Sequence, residues 1–142
     1  LGAKVAASPA PEIGWQRVEW FDSPQGRAWF GPQPAHHVFH WHYEAFDLPS
    51  QAVPLATNPA CRHQAFSIGV HLALQFHLEV DDPKVRLWLS QAEPEYLEAQ
   101  RHHASVHGEQ RVRDDTARHL RAQQRMADHV YEQWLQPTGV LS

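Results

Sequence analysis

His63-Gln64-Ala65-Phe66-Ser67-Ile68-Gly69-Val70-His71-Leu72-Ala73-Leu74-Gln75-Phe76-His77-Leu78-Glu79 contains two apolar runs on either side of a single glycine. Short apolar runs flanking a turn residue read as a β-hairpin, here His63 to Ile68 and His71 to Phe76. If the second strand runs on, alternation places His77 and Glu79 on one face. A carboxylate beside an imidazole fixes its tautomer and stabilises its protonated form, which prepares a base to serve a cysteine or serine nucleophile. The same pair also suits a polar strand end, with His77 hydrogen-bonded and Glu79 solvated.

Upstream of the hairpin, Lys4 to Ala7, Gly14 to Phe21, Ala35 to Trp41 and Ala52 to Thr57 read as strands. Pro9 and Pro11 interrupt the first two, Ser23 to Pro34 reads as a loop, and so does Tyr43 to Ser50. Downstream, Asp81-Asp82-Pro83 opens a helix from about Lys84 to Gln91. A looser helical stretch follows through Tyr96 and Leu97. From about Arg111 to Leu135, the residues Ala117, Leu120, Gln124, Ala127, Tyr131 and Trp134 predict one apolar stripe on a long helix that packs on its own sheet, with Pro137 and Gly139 closing it. Strands first and helices last suggest α+β, and the same order also fits the tail of an α/β sheet.

The chain has 142 residues, of which 42% are hydrophobic, with a formal charge of -4. That is enough for one domain with a sizeable core, and the balance lacks the clustered Lys and Arg of a nucleic-acid surface. No apolar run is long enough to span a bilayer, and the first ten residues do not read as a signal peptide, so a soluble cytoplasmic protein is expected. Twelve histidines make the charge depend on pH around neutrality.

Cys61 is the sole cysteine, which excludes an internal disulfide and a multi-cysteine zinc site. A two-residue hairpin turn at Gly69-Val70 pairs Arg62 with His77, and a turn at Ile68-Gly69 pairs Ala60 with His77. In either register Cys61 faces away from His77, so it reads as a small buried residue rather than a nucleophile. A second cluster, His40-Trp41-His42-Tyr43-Glu44, alternates three possible ligands with aromatic residues. On a strand, His40, His42 and Glu44 would share a face, as in a cupin-like metal site, while the bland reading has the aromatics pack and the histidines close a strand end. His102-His103 reads as a solvated linker.

Taken in order, Leu1-Gly2-Ala3-Lys4-Val5, Glu12-Ile13-Gly14-Trp15, Trp41-His42 through Phe46, Leu48 and Pro49, Cys61-Arg62-His63-Gln64-Ala65-Phe66 and Gln75-Phe76-His77-Leu78-Glu79 resemble class I glutamine amidotransferases, in particular the stand-alone, GMP-synthase-like members. The core of the match covers residues 1–80. Residues 81–142, with Asp115-Thr116-Ala117 opening the last helix, resemble the helical tail of the same subgroup. Leu78 stands where a proline is common and Glu44 where an aspartate is common.

The resemblance implies a flavodoxin-like α/β sheet whose N-terminal part is missing from this chain, a single partial domain over 1–142, and hydrolysis of the glutamine amide through a Cys-His-Glu triad without a cofactor. His77 would be the base and acid, and Glu79 its orienting carboxylate. The backbone of Trp41, His42 and Tyr43 would border the substrate, which is glutamine or a related γ-glutamyl compound. A synthetase or other ammonia acceptor is the implied partner, with no role for nucleic acid, membrane or metal. The elbow cysteine of that family precedes the segment matching Leu1, so the chain alone would be inactive. The alternatives are the cupin-like metal protein and a non-catalytic binding descendant of the fold.

Loss of the central strands and their covering helices would leave apolar edges and faces exposed. The isolated chain is therefore expected to be marginally stable or to associate. Light scattering and a thermal melt check this, and a monodisperse, cooperatively melting monomer would count against it.

Overall fold

The computed structural model describes residues 1–136. Two long strands, β1 (Val5–Trp20) and β2 (Ala35–Phe46), form an antiparallel ribbon with one register shift between Ala7 and Glu12. Pro9 and Pro11 fall inside that shift and do not end a strand, so the two strands expected there are one. Proline is tolerated where ladder bonds are already interrupted. β2 likewise runs on through residues expected to form a loop. The expected loop at Ser23 to Pro34 instead holds α1 (Pro24–Phe30), because the Ser23 side chain accepts from the Gly26 N–H and Pro24 occupies the first turn.

β3 (Val53–Thr57), β4 (Ala65–Ile68) and β5 (His71–Leu74) complete an antiparallel sheet in the order β2-β1-β3-β4-β5. Ile68 pairs with His71 and Ala65 with Leu74, so the turn is the two-residue Gly69-Val70 form. Gly69 there has φ 56°, which glycine adopts without strain. The ladder runs one step past the strands through the Gln75 N–H and the Gln64 carbonyl, and then the chain leaves β4. His77 forms an antiparallel bridge with Phe39 on β2, at the opposite end of the strand order. The sheet is therefore curled until its two ends nearly meet.

Three helices follow the sheet: α2 (Asp82–Ser90), α3 (Pro94–His102) and α4 (Glu109–Leu135). Asp81 caps α2 through the Lys84 N–H, and Pro83 lies in its first turn. His102 ends α3 and bonds Glu98 rather than lying in a linker. α4 packs on β1 and β2, but its buried side is rotated from the expected stripe: Val112, Thr116, Gln123, Met126, Ala127 and Val130 are buried, whereas Tyr131 and Trp134 are exposed. The expectation weighted large apolar side chains, yet this face is fixed by two buried polar residues, Thr116 and Gln123, that bond to the sheet. Thr116 Oγ1 accepts from Trp15 Nε1 at 2.9 Å. Pro137 and Gly139 lie outside the described residues.

The largest core cluster lies inside the curl, where Val18, Trp20, Val38, Leu55 and Phe76 meet Phe30 of α1 and Met126, Ala127 and Val130 of α4. A second cluster, on the other face of the ribbon, joins Trp15 and Phe39 to Val80, Val85 and Leu89. A third holds Ile13 against Tyr96, Ala99 and Val106. Residues 105–107 dock on β1: the Ile13 N–H donates to the Ser105 carbonyl at 3.1 Å, and the His107 N–H to the Ile13 carbonyl at 2.9 Å.

Gly14 makes this docking possible. Its φ is 101°, and a Cβ there would lie 2.8 Å from His107 Nδ1 and 3.0 Å from His107 Cβ. Gly14→Ala is expected to cost about 1–3 kcal/mol for the backbone alone, plus the displacement of His107. Gly31→Ala, at φ 79° with open space beside it, should show the backbone part only. Denaturant midpoints of the two variants check the difference, and equal losses would rule out the His107 contact as a cause.

Candidate active site

His77 is held by its backbone before its side chain does anything. Its N–H donates to the Phe39 carbonyl at 2.8 Å. The reciprocal bond, from the Phe39 N–H to the His77 carbonyl, is replaced by an inserted amide: Phe39 donates to Gln123 Oε1 at 2.7 Å, and Gln123 Nε2 donates to the His77 carbonyl at 3.0 Å. Gln123 is fully buried on α4, so one side chain stands in for a peptide group and ties helix, sheet edge and His77 together.

On this support, His77 Nδ1 lies 2.8 Å from Glu79 Oε1. The carboxylate accepts from Nδ1–H, which leaves Nε2 as the atom free to take or give a proton. Burial pushes the Glu79 carboxyl up. Its own backbone N–H, the His77 hydrogen bond and the charges of His77 and Lys84 outweigh that and hold it below the usual carboxylate range, so it is ionised at neutral pH. The Trp88 ring meets the imidazole nearly at right angles, with centroids 4.9 Å apart.

The imidazole borders a cleft of about 390 Å³ lined by Trp41, Tyr43, Trp88, Gln91, Glu93, Glu95 and Tyr96. Trp41 stacks on Tyr96 at 5.6 Å and meets Trp88 edge-on at 5.8 Å, which gives the cleft rigid aromatic walls. Its rim is acidic: after burial, Glu95 and Glu93 are the main causes that raise the Tyr43 phenol. Sequence neighbours thus divide between faces, because β2 alternates. Trp41 and Tyr43 line the cleft with His77, whereas the His42 side chain turns to the other face.

Behind the cleft lies a buried polar cluster. Glu12, opposite His42 in the β1–β2 register, accepts from Gln64 Nε2 at 2.6 Å and from Asn58 Nδ2, and lies 3.1 Å from His42 Nε2. Burial raises the Glu12 carboxyl, but the bond to His42, the His40 charge and the bond to Asn58 lower it further, and the net shift is down. His40 is fully buried, and desolvation pushes its imidazole down to about 3 despite the nearby Glu12 charge. The carboxylate that meets His40 and His42 is Glu12 rather than Glu44, whose side chain is exposed.

Cys61 stands apart as a buried thiol. Its Sγ donates to the His63 carbonyl at 3.5 Å, and burial pushes its pKa up, the reverse of what activates a nucleophile. Sequence reading missed Gln123 and the buried role of Glu12. A glutamine on a helix carries no pattern that marks it as an inserted peptide mimic, and only the register brings Glu12 opposite His42.

No protein-family model and no curated protein matches this sequence. Solved structures do match it. A glutamine amidotransferase from Methylobacillus flagellatus is 32% identical with a TM-score of 0.88, over 94% of this chain and 55% of that one. A glutamine amidotransferase from Thermotoga maritima is 25% identical with a TM-score of 0.79, over 95% of this chain and 56% of that one. A putative GMP synthase component from Thermoplasma acidophilum is 28% identical with a TM-score of 0.50, over 56% of this chain and 41% of that one. The chain is thus similar to glutamine amidotransferases over nearly all of its described length, and it spans about half the length of the first two solved chains. Among its described helices, none is long and apolar enough to cross a membrane.

The inserted amide gives a direct test. Gln123→Leu leaves the Phe39 N–H and the His77 carbonyl without partners in the core, at about 1–3 kcal/mol each. Unfolding by denaturant should show a loss in that range or above, and Phe39 amide exchange should accelerate. A loss under about 1 kcal/mol would mean that the bridge does not depend on Gln123.

Proposed function

We propose that this chain is the C-terminal part of a class I glutamine amidotransferase domain, in which His77 and Glu79 serve a cysteine nucleophile other than Cys61. The observation that carries the reading is the His77 Nδ1 to Glu79 Oε1 contact at 2.8 Å, set at the mouth of a cleft on a backbone fixed by Phe39 and Gln123. The likeness to two solved glutamine amidotransferases at 32% and 25% identity supports it.

In this mechanism His77 Nε2 removes the thiol proton, and the thiolate attacks the carboxamide carbon of glutamine or of a related γ-glutamyl compound. The imidazolium, stabilised by Glu79, then gives that proton to the departing nitrogen, so ammonia leaves and a glutamyl thioester remains. His77 next deprotonates a water that hydrolyses the thioester and restores the thiol. Trp41 and Tyr43 would wall the substrate. Glu93 and Glu95 would favour a cationic group such as the α-ammonium of glutamine. A synthetase or other acceptor would receive the ammonia. The likeness to a putative GMP synthase component is in keeping with such a partner.

The test is ammonia release from glutamine by the protein encoded by the full reading frame that contains this chain. Activity is expected there and not from residues 1–142 alone. His77→Ala should lower kcat by roughly 10²- to 10⁴-fold, and Glu79→Gln by less. Glutaminase activity indifferent to His77, or its persistence in the isolated 142-residue chain, would overturn the reading.

A further inference from the structure

We infer that Glu12, His40 and His42 form a binding site for one divalent transition-metal ion, with Zn²⁺ the best fit. The inference does not depend on the amidotransferase reading, because these side chains lie on the opposite face of β2 from Trp41 and Tyr43 of the His77 cleft.

Geometry comes first. Tetrahedral zinc with metal–ligand bonds near 2.0–2.2 Å separates its ligand atoms by about 3.3 Å. Glu12 Oε2 lies 3.1 Å from His42 Nε2 and 3.9 Å from His40 Nδ1, and the three ligand atoms all lie within 4.8 Å of one another. Shifts of a few tenths of an ångström to about one ångström would therefore bring them onto one ion. Two imidazoles and a carboxylate are a donor set that zinc takes readily.

Unpartnered atoms give the second, independent observation. His40 has no exposed surface, and neither of its ring nitrogens has a hydrogen-bond partner. A buried polar group left this way is destabilising, and a metal at Nδ1 would satisfy one of the two nitrogens. Gln64 Oε1 is a second buried atom without a partner, while Gln64 Nε2 sits 2.6 Å from Glu12 Oε2.

The surroundings resemble an outer shell. His42 Nδ1 lies 3.0 Å from the Glu44 carbonyl and 3.2 Å from Gln75 Nε2, contacts that hold the ring with Nε2 aimed at Glu12. Without metal, Nε2–H of His42 donates to Glu12 Oε2 at 3.1 Å, and an ion would take the place of that proton. Asn58 bonds the other Glu12 oxygen, as outer-shell groups do for metal-bound carboxylates. The competitor for the position is the hydrogen bond from His42 Nε2 to Glu12. The Glu12 and His40 side chains are fully buried while that of His42 is 10% exposed, so an ion would enter past His42. Its role would be to hold β1, β2 and the segments flanking β3 and β4 together.

The protein encoded by the full reading frame that contains this chain is stripped with a chelator and titrated with Zn²⁺ by calorimetry and with Co²⁺ by visible absorption. One equivalent with the intense d–d bands of tetrahedral Co²⁺, displaced by Zn²⁺, and a melting midpoint that rises with metal concentration are expected. Glu12→Gln and His40→Phe should each weaken binding by at least about 100-fold, the upper end of what outer-shell changes alone cost. His40→Phe removes a ligand by placing an apolar ring beside Phe76, whose centroid lies 5.9 Å from that of His40, so it should fold at least as well without metal. His37→Ala with His119→Ala removes the stacked imidazoles elsewhere on the surface and should leave binding intact. Absence of a tetrahedral Co²⁺ spectrum, or one that survives His40→Phe, would overturn the site and leave the His42–Glu12 hydrogen bond in its place.

Discussion

The outer edge of β2 sets the constraint on which the rest depends. Phe39 is fully buried, so its N–H and carbonyl cannot turn to water and must be paired within the protein. The carbonyl takes the His77 N–H, and the N–H takes the amide oxygen of Gln123, whose nitrogen returns to the His77 carbonyl. Three elements far apart in sequence are fixed by this one ring of hydrogen bonds. It closes the curl of the sheet, sets which face of α4 is buried, and places an imidazole at the edge of a cleft without using that imidazole to do so. The His77 side chain is left to face the cleft and Glu79 because its backbone carries the structural role.

β2 divides the molecule by simple alternation. Phe39, Trp41 and Tyr43 point to the side where α2 and α3 pack, and they build a cleft with aromatic walls. Val38, His40 and His42 point into the curl, where they meet Glu12 from the neighbouring strand. A carboxylate in that interior must be compensated by donors and positive charge, since desolvation alone would push it towards its neutral form. Asn58, Gln64 and His42 provide the donors. They come from segments flanking β3 and β4 and from β2, so the polar cluster joins most of the sheet around one charge.

Glutamine amidotransferases are the structural relatives, and the chain aligns with about half of each of the first two. The sheet of this chain is antiparallel among the described strands and curled, with His77 and Glu79 just beyond its last strand. Trp15, in the Glu12-Ile13-Gly14-Trp15 segment, ties the ribbon to α4 through Thr116. Gly14 leaves the space into which the turn before α4 packs. Those residues serve packing and conformation rather than chemistry.

The sequence by itself determined the hairpin at Gly69, the cap of α2, the unsuitability of Cys61 and the candidacy of His77 and Glu79. All of these follow from local alternation, turn chemistry and short-range order, which neighbouring residues dictate. It misread Pro9 and Pro11 as a strand break and took the apolar stripe of α4 from Tyr131 and Trp134. A bulge can absorb prolines, and a helix face is chosen by what its polar residues can bond. Tertiary structure alone decided that Gln123 replaces a peptide group and that Glu12 and not Glu44 meets His40 and His42. The physical reason is common to both: a buried polar group needs a partner, and that partner can come from any distance along the chain once the fold brings it within about 3 Å.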